Sequence, residues 1–280
     1  ADGWTPQPIA EAVEDATLIA LLIPDLSQPN LFEEQILSHL KPGSMLLFAH
    51  GFNIHYGLIK PPNHIDVGLV APKGPGNLVR DQYTLGRGVP CLAAIHQNMS
   101  DHAWPRALDY ARGLGGGRAA ILQTTFAEET ETDLFGEQAI ICGGAAELVL
   151  AGWETLVEAG YSPEIAYFEC LHELKLIVDL LQEGGLTGMH RFISDTASFG
   201  ALTRGPRVID EHARGRMKAI LSEILSGAFA EEWARAWIEE QGGAGRYGAL
   251  KDSHEAHPIE ATGRALRARM AWLSNSGEDA

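Results

Sequence analysis

The first 125 residues alternate between short apolar runs and helical patterns. The apolar runs, which we predict to be strands, lie at residues 16–23, 45–49, 65–71, 89–95 and 118–122. Continuous apolar runs of this length are typical of strands that are buried on both faces of a parallel sheet. Helices are predicted at residues 29–40 and 101–114, the second with Pro105 in its first turn. This alternation favours a doubly wound α/β fold of the Rossmann-like type, whose ligands bind at the carboxyl ends of the strands.

The pattern changes after Thr125, where apolar residues recur with helical spacing and no convincing strand pattern follows. Helices are predicted at residues 132–159, 163–183, 207–226 and 259–274, and a glycine-rich loop at residues 241–248. We therefore predict two domains, a sheet-containing domain at residues 1–124 and an all-α domain at residues 125–280.

Two pairs of acidic residues are spaced four apart within apolar helical segments. Asp133 and Glu137 lie in E-T-D-L-F-G-E-Q, and Glu169 and Glu173 lie in E-C-L-H-E-L. Residues four apart share one helix face, so each pair brings two like charges together. Burying such carboxylates is costly unless they bind a cation, and Mg²⁺ prefers oxygen ligands of this kind. With 37 acidic residues in the chain, one pair can arise by chance on a solvated face, but two successive pairs in apolar segments favour a metal site.

Other candidate site residues lie where predicted strands end. His50 follows the second strand, Lys73 lies in P-K-G-P-G after the third, and residues 25–28 form the loop after the first. A histidine in this position is well placed for chemistry, and a lysine can stabilise developing negative charge. Gly76 would let a cofactor approach the backbone closely. The plainer interpretations are a hydrogen-bonded structural histidine and a surface lysine.

Two further motifs allow more than one interpretation. Ser194, in I-S-D-T-A, fits either a helix cap or a site residue. Glu169 and His172 form one Glu-x-x-His motif of the kind found in di-iron bundles, but those bundles need two copies, and Gly136 occupies the corresponding place in the first helix. The remaining late histidines lack ligand-like spacing and are expected to be structural or at the surface: His190, His212, His254 and His257.

Composition restricts the expected partners and compartment. The 37 acidic residues outnumber 21 basic ones, which gives a net charge of −16 and a surface that should repel nucleic acid and anionic membranes. The sequence has no run of 18 apolar residues and no pattern of a signal peptide at its start. Cys91, Cys142 and Cys170 lie in apolar contexts without C-x-x-C spacing, so we expect reduced core residues. Together these features predict a cytoplasmic protein that binds neither nucleic acid nor membrane.

The motifs form a recognisable series. In chain order they read F-A-H-G-F-N-I-H, A-P-K-G-P-G, E-T-D-L-F-G-E-Q, F-E-C-L-H-E-L-K-L-I-V-D-L and I-S-D-T-A, with a late A-H-P-I-E. The series resembles ketol-acid reductoisomerase, also called acetohydroxy acid isomeroreductase, of valine, leucine and isoleucine biosynthesis, along essentially the whole chain. This resemblance implies a Mg²⁺-dependent alkyl migration in 2-acetolactate or 2-aceto-2-hydroxybutyrate, followed by reduction with NADPH to the 2,3-dihydroxy acid.

The resemblance also implies residue roles. Two Mg²⁺ ions would be held by Asp133, Glu137, Glu169 and Glu173. His50 and Lys73 would belong to the catalytic site, and Ser194 would contact the substrate. The positions that correspond to NADPH contacts are Asp25, Leu26, Ser27, Gln28 and Gly76. The proton acceptor stays open between a carboxylate such as Glu137, Lys73 and metal-bound water.

In the short form of this family the helical domains of two subunits interlock. By this resemblance, one subunit would supply Asp133 and Glu137, and its partner would supply Glu169, Glu173 and Ser194. The resemblance therefore implies a homodimer or a higher oligomer with shared active sites and a knotted type of helical domain.

The start of the chain differs from the family pattern. The family opens with a strand, a G-x-G-x-x-G turn and a helix, and this sequence contains none of them. We therefore expect a short-form chain that lacks its N-terminal segment, with an incomplete Rossmann-like domain. Two alternatives stay open, a metal-independent hydroxyacid dehydrogenase of similar architecture and an inactive fragment that keeps only the helical dimerisation domain.

Overall fold

The computed structural model describes residues 3, 5–242 and 245–270. The chain forms two compact units, Ala1–Leu134 and Phe135–Ala280. The first contains a five-stranded sheet with helices, and the described part of the second is entirely helical. The predicted combination of an α/β domain and an all-α domain is therefore confirmed.

The sheet of the first unit has the strand order β1-β2-β3-β4-β5. Its strands are β1 (Leu18–Leu21), β2 (Met45–Phe48), β3 (Asp66–Pro72), β4 (Cys91–Gln97) and β5 (Ile121–Gln123). β1, β2 and β3 are parallel, β3 and β4 are antiparallel, and β4 and β5 are again parallel. The prediction of a parallel sheet is therefore wrong between β3 and β4. β4 and β5 are parallel to each other but run opposite to the first three strands. A continuous apolar run shows that a strand is covered on both faces, but it carries no information about the direction of the strand.

The first predicted strand is also less buried than expected. β1 is half-buried along most of its length and ends at Leu21, whereas Leu22 and Ile23 are exposed. β1 lies at the edge of the described sheet, so it has a neighbour on one side only. The prediction that residues 16–23 are buried on both faces is thus wrong.

Helices cover both faces of the sheet. The helices of this unit are α1 (Ile9–Glu14), α2 (Gln28–Leu31), α3 (Phe52–His55), α4 (Gly76–Thr84), α5 (Ala103–Gly113) and α6 (Phe126–Gly136). Along β2, Leu46 and Phe48 join one apolar cluster, and Met45 and Leu47 join another on the opposite face. α5 confirms the predicted helix with Pro105 in its first turn. The predicted helix at residues 29–40 is instead divided into α2, a π turn and a 3₁₀ turn.

The second unit consists of helices joined by short turns. Its helices are α7 (Gly143–Glu158), α8 (Pro163–Tyr167), α9 (Leu174–Met189), α10 (Asp195–Val208), α11 (Glu211–Leu225), α12 (Ala228–Gln241), α13 (Arg246–Glu255) and α14 (Pro258–Arg267). Trp153, Tyr167 and Ile259 are buried in a common apolar cluster that joins α7, α8 and α14. The Tyr167 hydroxyl accepts a hydrogen bond from Arg267 at 2.9 Å, which ties α14 to the same cluster.

The helical segments of the second unit differ in places from the predicted ones. The predicted loop at residues 241–248 already becomes helix α13 at Arg246, and residues 243 and 244 lie outside the described part. The predicted helix at residues 259–274 corresponds to α14, and its positions after 270 also lie outside the described residues. Two π turns, Glu137–Ile141 and Phe168–His172, interrupt the helical segments that carry the predicted metal ligands. Such turns occur frequently at functional sites.

The three cysteines differ in how deeply they are buried. All three cysteines are free, but only Cys91 is buried, whereas Cys170 is half-buried and Cys142 is exposed. The prediction of a core position is wrong for Cys142, which directly follows the π turn Glu137–Ile141 and is exposed in the single chain. By length and hydropathy alone, one stretch of the described helices, Phe126–Glu158, could cross a membrane, a test that core helices of soluble proteins also pass.

Candidate active site

The ends of two neighbouring strands bring His50 and Lys73 to one edge of the sheet. His50 lies two residues after β2, and Lys73 directly follows β3. β2 and β3 are parallel, with Phe48 opposite Leu69, so their carboxyl ends lie at the same edge. α6 then contributes Glu129 and Asp133, which are one helical turn apart.

Glu129 is the centre of this cluster. Its side chain is only 1% exposed and accepts hydrogen bonds from three groups. Lys73 Nζ lies 2.9 Å from Oε1, and the Gly51 backbone N–H lies 2.9 Å from Oε2. His50 Nδ1 lies 3.1 Å from Oε2. A buried carboxylate with three donors, one of them a cation, is well compensated for its loss of hydration.

Asp133 extends the cluster towards solvent. Its Oδ1 accepts a hydrogen bond from Lys73 Nζ at 2.8 Å, and its Oδ2 lies 3.6 Å from His50 Nδ1. Donor atoms of His50, Glu129 and Asp133 all lie within 4.8 Å of one another. The first unit thus assembles a histidine, a lysine and two carboxylates at the carboxyl ends of its strands.

These neighbours shift the proton equilibria of the cluster. Burial raises the pKa of Glu129, but the His50 hydrogen bond and the Lys73 charge outweigh burial and leave the pKa below its usual value. Burial lowers the pKa of His50 and of Lys73, yet their carboxylate partners raise both pKa values above the ordinary ones. Burial also raises the pKa of Asp25, which lies near this group. The charged forms of Glu129 and Lys73 are therefore favoured at neutral pH.

The loop after β1 is held against this site by Asn53. Asn53 Nδ2 donates to the Asp25 carbonyl and to Gln28 Oε1, each at 2.9 Å. Gln28 Nε2 donates in turn to the Ile23 carbonyl at 2.8 Å. The amide of Gln28 is thus engaged within the protein, which gives it a role in shaping the loop. Leu26 and Ser27 complete the 3₁₀ turn and are half-buried.

A cleft of about 500 Å³ opens beside the same strand ends. It is lined by Leu22, Ala49, Val70, Pro72, Gly74, Gly76, Val79, Tyr110 and Leu114. Gly76 begins α4 at the rim of this cleft, where a Cβ atom would meet no other atom within 4 Å. Clefts at the carboxyl ends of strands are the usual ligand sites of open α/β sheets.

The second unit contains the other predicted carboxylate pair. Glu169, Glu173 and Ser194 line a cavity of about 590 Å³. Ser194 also caps α10, since its Oγ accepts a hydrogen bond from the Ala197 N–H at 3.1 Å. Glu169 and Glu173 are exposed, so the premise that both are buried is wrong for the single chain. Glu137 is half-buried and begins the π turn that follows α6.

The donor chemistry of these residues fits Mg²⁺. All four predicted ligands are carboxylates, which are hard oxygen donors, and Glu169 and Glu173 border a cavity with room for a hydrated ion. Asp133 shares its Oδ1 with Lys73, but a carboxylate has several lone pairs and accepts more than one partner.

Three of the predicted site residues, His50, Lys73 and Asp133, lie together with Glu129, which was not predicted from the sequence. A signal was available, because Glu129 and Asp133 are four residues apart, like the two pairs that were identified. The segment A-E-E-T-E-T-D contains four acids, however, and the sequence does not show which of them faces the strand ends.

Two family models match this chain. Residues 1–120 match the family model described as acetohydroxy acid isomeroreductase, NADPH-binding domain. Residues 126–272 match the model described as ketol-acid reductoisomerase, C-terminal domain. The two models together span nearly the whole chain.

Relatives and a solved structure extend the agreement. The ketol-acid reductoisomerase (NADP(+)) of Xylella fastidiosa is 56% identical over 275 residues, which cover 98% of this chain and 78% of that protein. The protein of the same name from Saccharopolyspora erythraea is 56% identical over 94% of this chain and 78% of its own length. The structure of an NADH-preferring ketol-acid reductoisomerase from an uncultured archean superposes with a TM-score of 0.92, at 43% identity over 95% of this chain and 80% of that one. The chain belongs to the ketol-acid reductoisomerase family, which confirms the activity and the enzyme class predicted from its motifs.

Proposed function

We propose that this ketol-acid reductoisomerase carries out its chemistry at the strand-end cluster of His50, Lys73, Glu129 and Asp133. The observation that carries the proposal is the buried Glu129 carboxylate, which holds His50, Lys73 and the Gly51 amide around a single point. Perturbed proton equilibria in a cleft-side cluster are typical of catalytic sites. In the family reaction, an alkyl group migrates in a 2-acetohydroxy acid, and the resulting ketone is reduced to a 2,3-dihydroxy acid.

The contacts of each residue indicate its role in the reaction. Glu129 is already bonded to three donors, so its role is to fix them and to keep Lys73 charged. Lys73 directs a positive charge towards the edge of the sheet, where it stabilises negative charge on a substrate oxygen and supplies a proton to the alkoxide that reduction creates. His50 is held by Glu129 in one orientation and can bond a second substrate oxygen through Nε2.

Asp133, Glu137, Glu169 and Glu173 are proposed to hold two Mg²⁺ ions, and the matching donor chemistry supports this assignment. When bound, the ions would supply Lewis acidity that polarises the acceptor carbonyl and lowers the pKa of the hydroxyl on the carbon that the alkyl group leaves. Ser194 lines the same cavity as Glu169 and Glu173, which supports a role in substrate binding.

The cleft lined by Gly76 is proposed to hold the nicotinamide end of NADPH. A cofactor in this cleft would bring its hydride donor next to Lys73 and the proposed catalytic cluster, and the loop of Asp25, Leu26, Ser27 and Gln28 lies at the neighbouring strand end. NADPH supplies the hydride, while the protein supplies its position. The NADP(+) in the names of the curated relatives supports NADPH as the cofactor.

A homodimer with shared sites is proposed from the surface of the second unit. Many large apolar side chains of this unit are exposed in the single chain, among them Ile141, Leu186, Phe192, Phe199 and Leu202. Soluble proteins rarely leave so many apolar residues in water, and a second copy of the same surface would cover them. In such a dimer, Glu169, Glu173 and Ser194 of one chain would complete the strand-end cluster of the other.

Replacing Glu129 with Gln tests the proposal, because the variant keeps the shape of the side chain and removes its charge. NADPH oxidation with 2-acetolactate and Mg²⁺ should fall by about 100-fold or more, the usual cost of removing one preorganised electrostatic group. The matched control is Glu128→Gln on the exposed side of α6, which should keep normal turnover. Near-normal turnover of the Glu129 variant would remove this cluster as the catalytic site.

A further inference from the structure

The loop that carries His50 approaches α6 unusually closely at Gly51. A Cβ atom added to Gly51 would collide with the Thr130 hydroxyl oxygen and would lie 3.0 Å from the Phe126 carbonyl oxygen. The backbone of Gly51 has φ −81°, which any residue can adopt. Glycine is therefore needed here for space and not for backbone conformation.

Thr130 forms the other side of this contact. It is fully buried, and its hydroxyl has no hydrogen-bond partner among the residues that the structure describes. Burial of an unpaired hydroxyl is unfavourable, so hydrogen bonding does not explain the residue. The branched shape of Thr130 explains its presence, because its side chain fills the space that Gly51, which has no side chain, leaves open.

This packing contact lies directly behind the catalytic cluster. Glu129 precedes Thr130 on α6, and His50 precedes Gly51 in the loop. The Gly51 N–H donates to Glu129 Oε2 at 2.9 Å, so the distance between loop and helix sets this hydrogen bond. The distance between His50 Nδ1 and the same oxygen depends on the same separation.

A second contact holds the helix that follows the loop. His55, at the end of α3, lies 3.3 Å from Glu131 Oε1 through its Nε2. Glu129, Thr130 and Glu131 are thus three consecutive residues of α6 that each meet the segment from His50 to His55. The His55 contact limits how far α3 can turn, and the Gly51 contact sets how near it can approach.

We propose that Gly51 and Thr130 are positioning residues, whose direct packing fixes the Glu129 carboxylate against His50 and Lys73. The proposal rests on the catalytic role of Glu129 proposed above. A displacement of about 1 Å in a preorganised site can cost 100-fold in rate. Packing of this kind therefore affects turnover more than it affects binding of substrate or metal.

The test compares Gly51→Ala with Gly51→Ala/Thr130→Ala. The single variant should lower kcat by about 30-fold to 100-fold, since it forces the loop away from α6. KM for 2-acetolactate, NADPH affinity measured by fluorescence and Mg²⁺ affinity measured by calorimetry should each stay within about twofold. The double variant removes the Thr130 hydroxyl oxygen with which the new Cβ atom collides. It should regain at least about a third of the wild-type kcat, because a small shift of the loop relieves the remaining contact with the Phe126 carbonyl oxygen. Gly113→Ala is the control, because a Cβ there meets nothing within 4 Å, and it should leave kcat unchanged.

Thr130→Val provides a measurement that does not depend on the folding of the Gly51 variant. It keeps the branched shape, removes the unpaired hydroxyl, and should keep kcat and raise the melting temperature. A large fall in kcat in this variant, normal kcat in Gly51→Ala, or a loss in Gly51→Ala that Thr130→Ala fails to relieve would each overturn the proposal. If Glu129→Gln is itself active, the catalytic assignment has failed, whereas an inactive Glu129→Gln with an active Gly51→Ala contradicts only the positioning role.

Discussion

The two groups of carboxylates differ in how completely the chain surrounds them. In the first unit, Glu129 is buried and bonded to His50, Gly51 and Lys73, so its environment is complete within one chain. In the second unit, Glu169 and Glu173 are exposed and line an open cavity. The first group, which we call the closed group, consists of Glu129 with His50, Gly51 and Lys73, and folding alone can position it. The second, which we call the open group, consists of Glu169 and Glu173, and it needs a cation, a substrate or a partner chain to organise it.

Removal of the Lys73 charge should have the largest effect, because it breaks the closed group. In Lys73→Met, kcat should fall by about 100-fold to 1000-fold, and the free energy of unfolding should drop by about 2 kcal/mol. This drop is smaller than for a fully buried ion pair because the Lys73 side chain is 32% exposed. Urea unfolding and NADPH oxidation measure the two effects, with exposed Lys60→Met as control. A stable, active Lys73→Met variant would show that the first unit does not depend on this charge.

The open group should respond in the opposite way. Glu169→Gln should weaken Mg²⁺ binding by about tenfold or more while changing the metal-free free energy of unfolding by less than about 0.5 kcal/mol, because the residue is exposed. Calorimetric titration with Mg²⁺ measures the first effect, and Glu223→Gln on α11 is a matched exposed control. Unchanged Mg²⁺ affinity, or a large loss of metal-free stability, would contradict the assignment of Glu169 as a ligand in an open site.

The cysteines offer the mildest test of the same contrast. Cys91 is buried in the sheet unit, where burial raises the pKa of its thiol, and Cys142 is exposed in the helical unit. Cys91→Ala should cost about 1–2 kcal/mol of unfolding free energy through lost packing, and Cys142→Ala less than about 0.5 kcal/mol. Turnover should stay normal in the Cys142 variant. Equal costs in urea unfolding would show that exposure in the single chain does not describe the protein in solution.

Most of the fold could be predicted because strands and helices leave local patterns of apolar residues in the sequence. Apolar runs marked all five strands, and helical spacing together with Pro105 marked α5. Strand direction was beyond those signals, since β4 reads as an apolar run whichever way it crosses the sheet. The position of Pro105 worked as a signal because proline lacks the N–H that a first helical turn leaves unpaired.

Candidate site residues were predicted where a residue type and a position agreed. His50 and Lys73 were candidates because they follow strands, and Asp133 because it belongs to a spaced pair. Glu129 was missed because its burial results from the packing of α6 against the loop at Gly51, a contact between residues far apart in the chain. Cys142 was misjudged because its apolar neighbours in the sequence indicate a core position, whereas its side chain is exposed.

We propose that the closed and open groups are two halves of one active site, contributed by two chains. Subunit exchange between Glu129→Gln and Glu169→Gln, each of which should lose turnover by itself, tests this claim most directly. In a mixed dimer, one site would carry both substitutions and the other would carry neither. After complete exchange, the mixture should regain about a quarter of wild-type NADPH oxidation with 2-acetolactate, because half of the dimers are mixed and half of their sites are intact. A mixture that stays inactive after verified exchange would show that each site lies within a single chain.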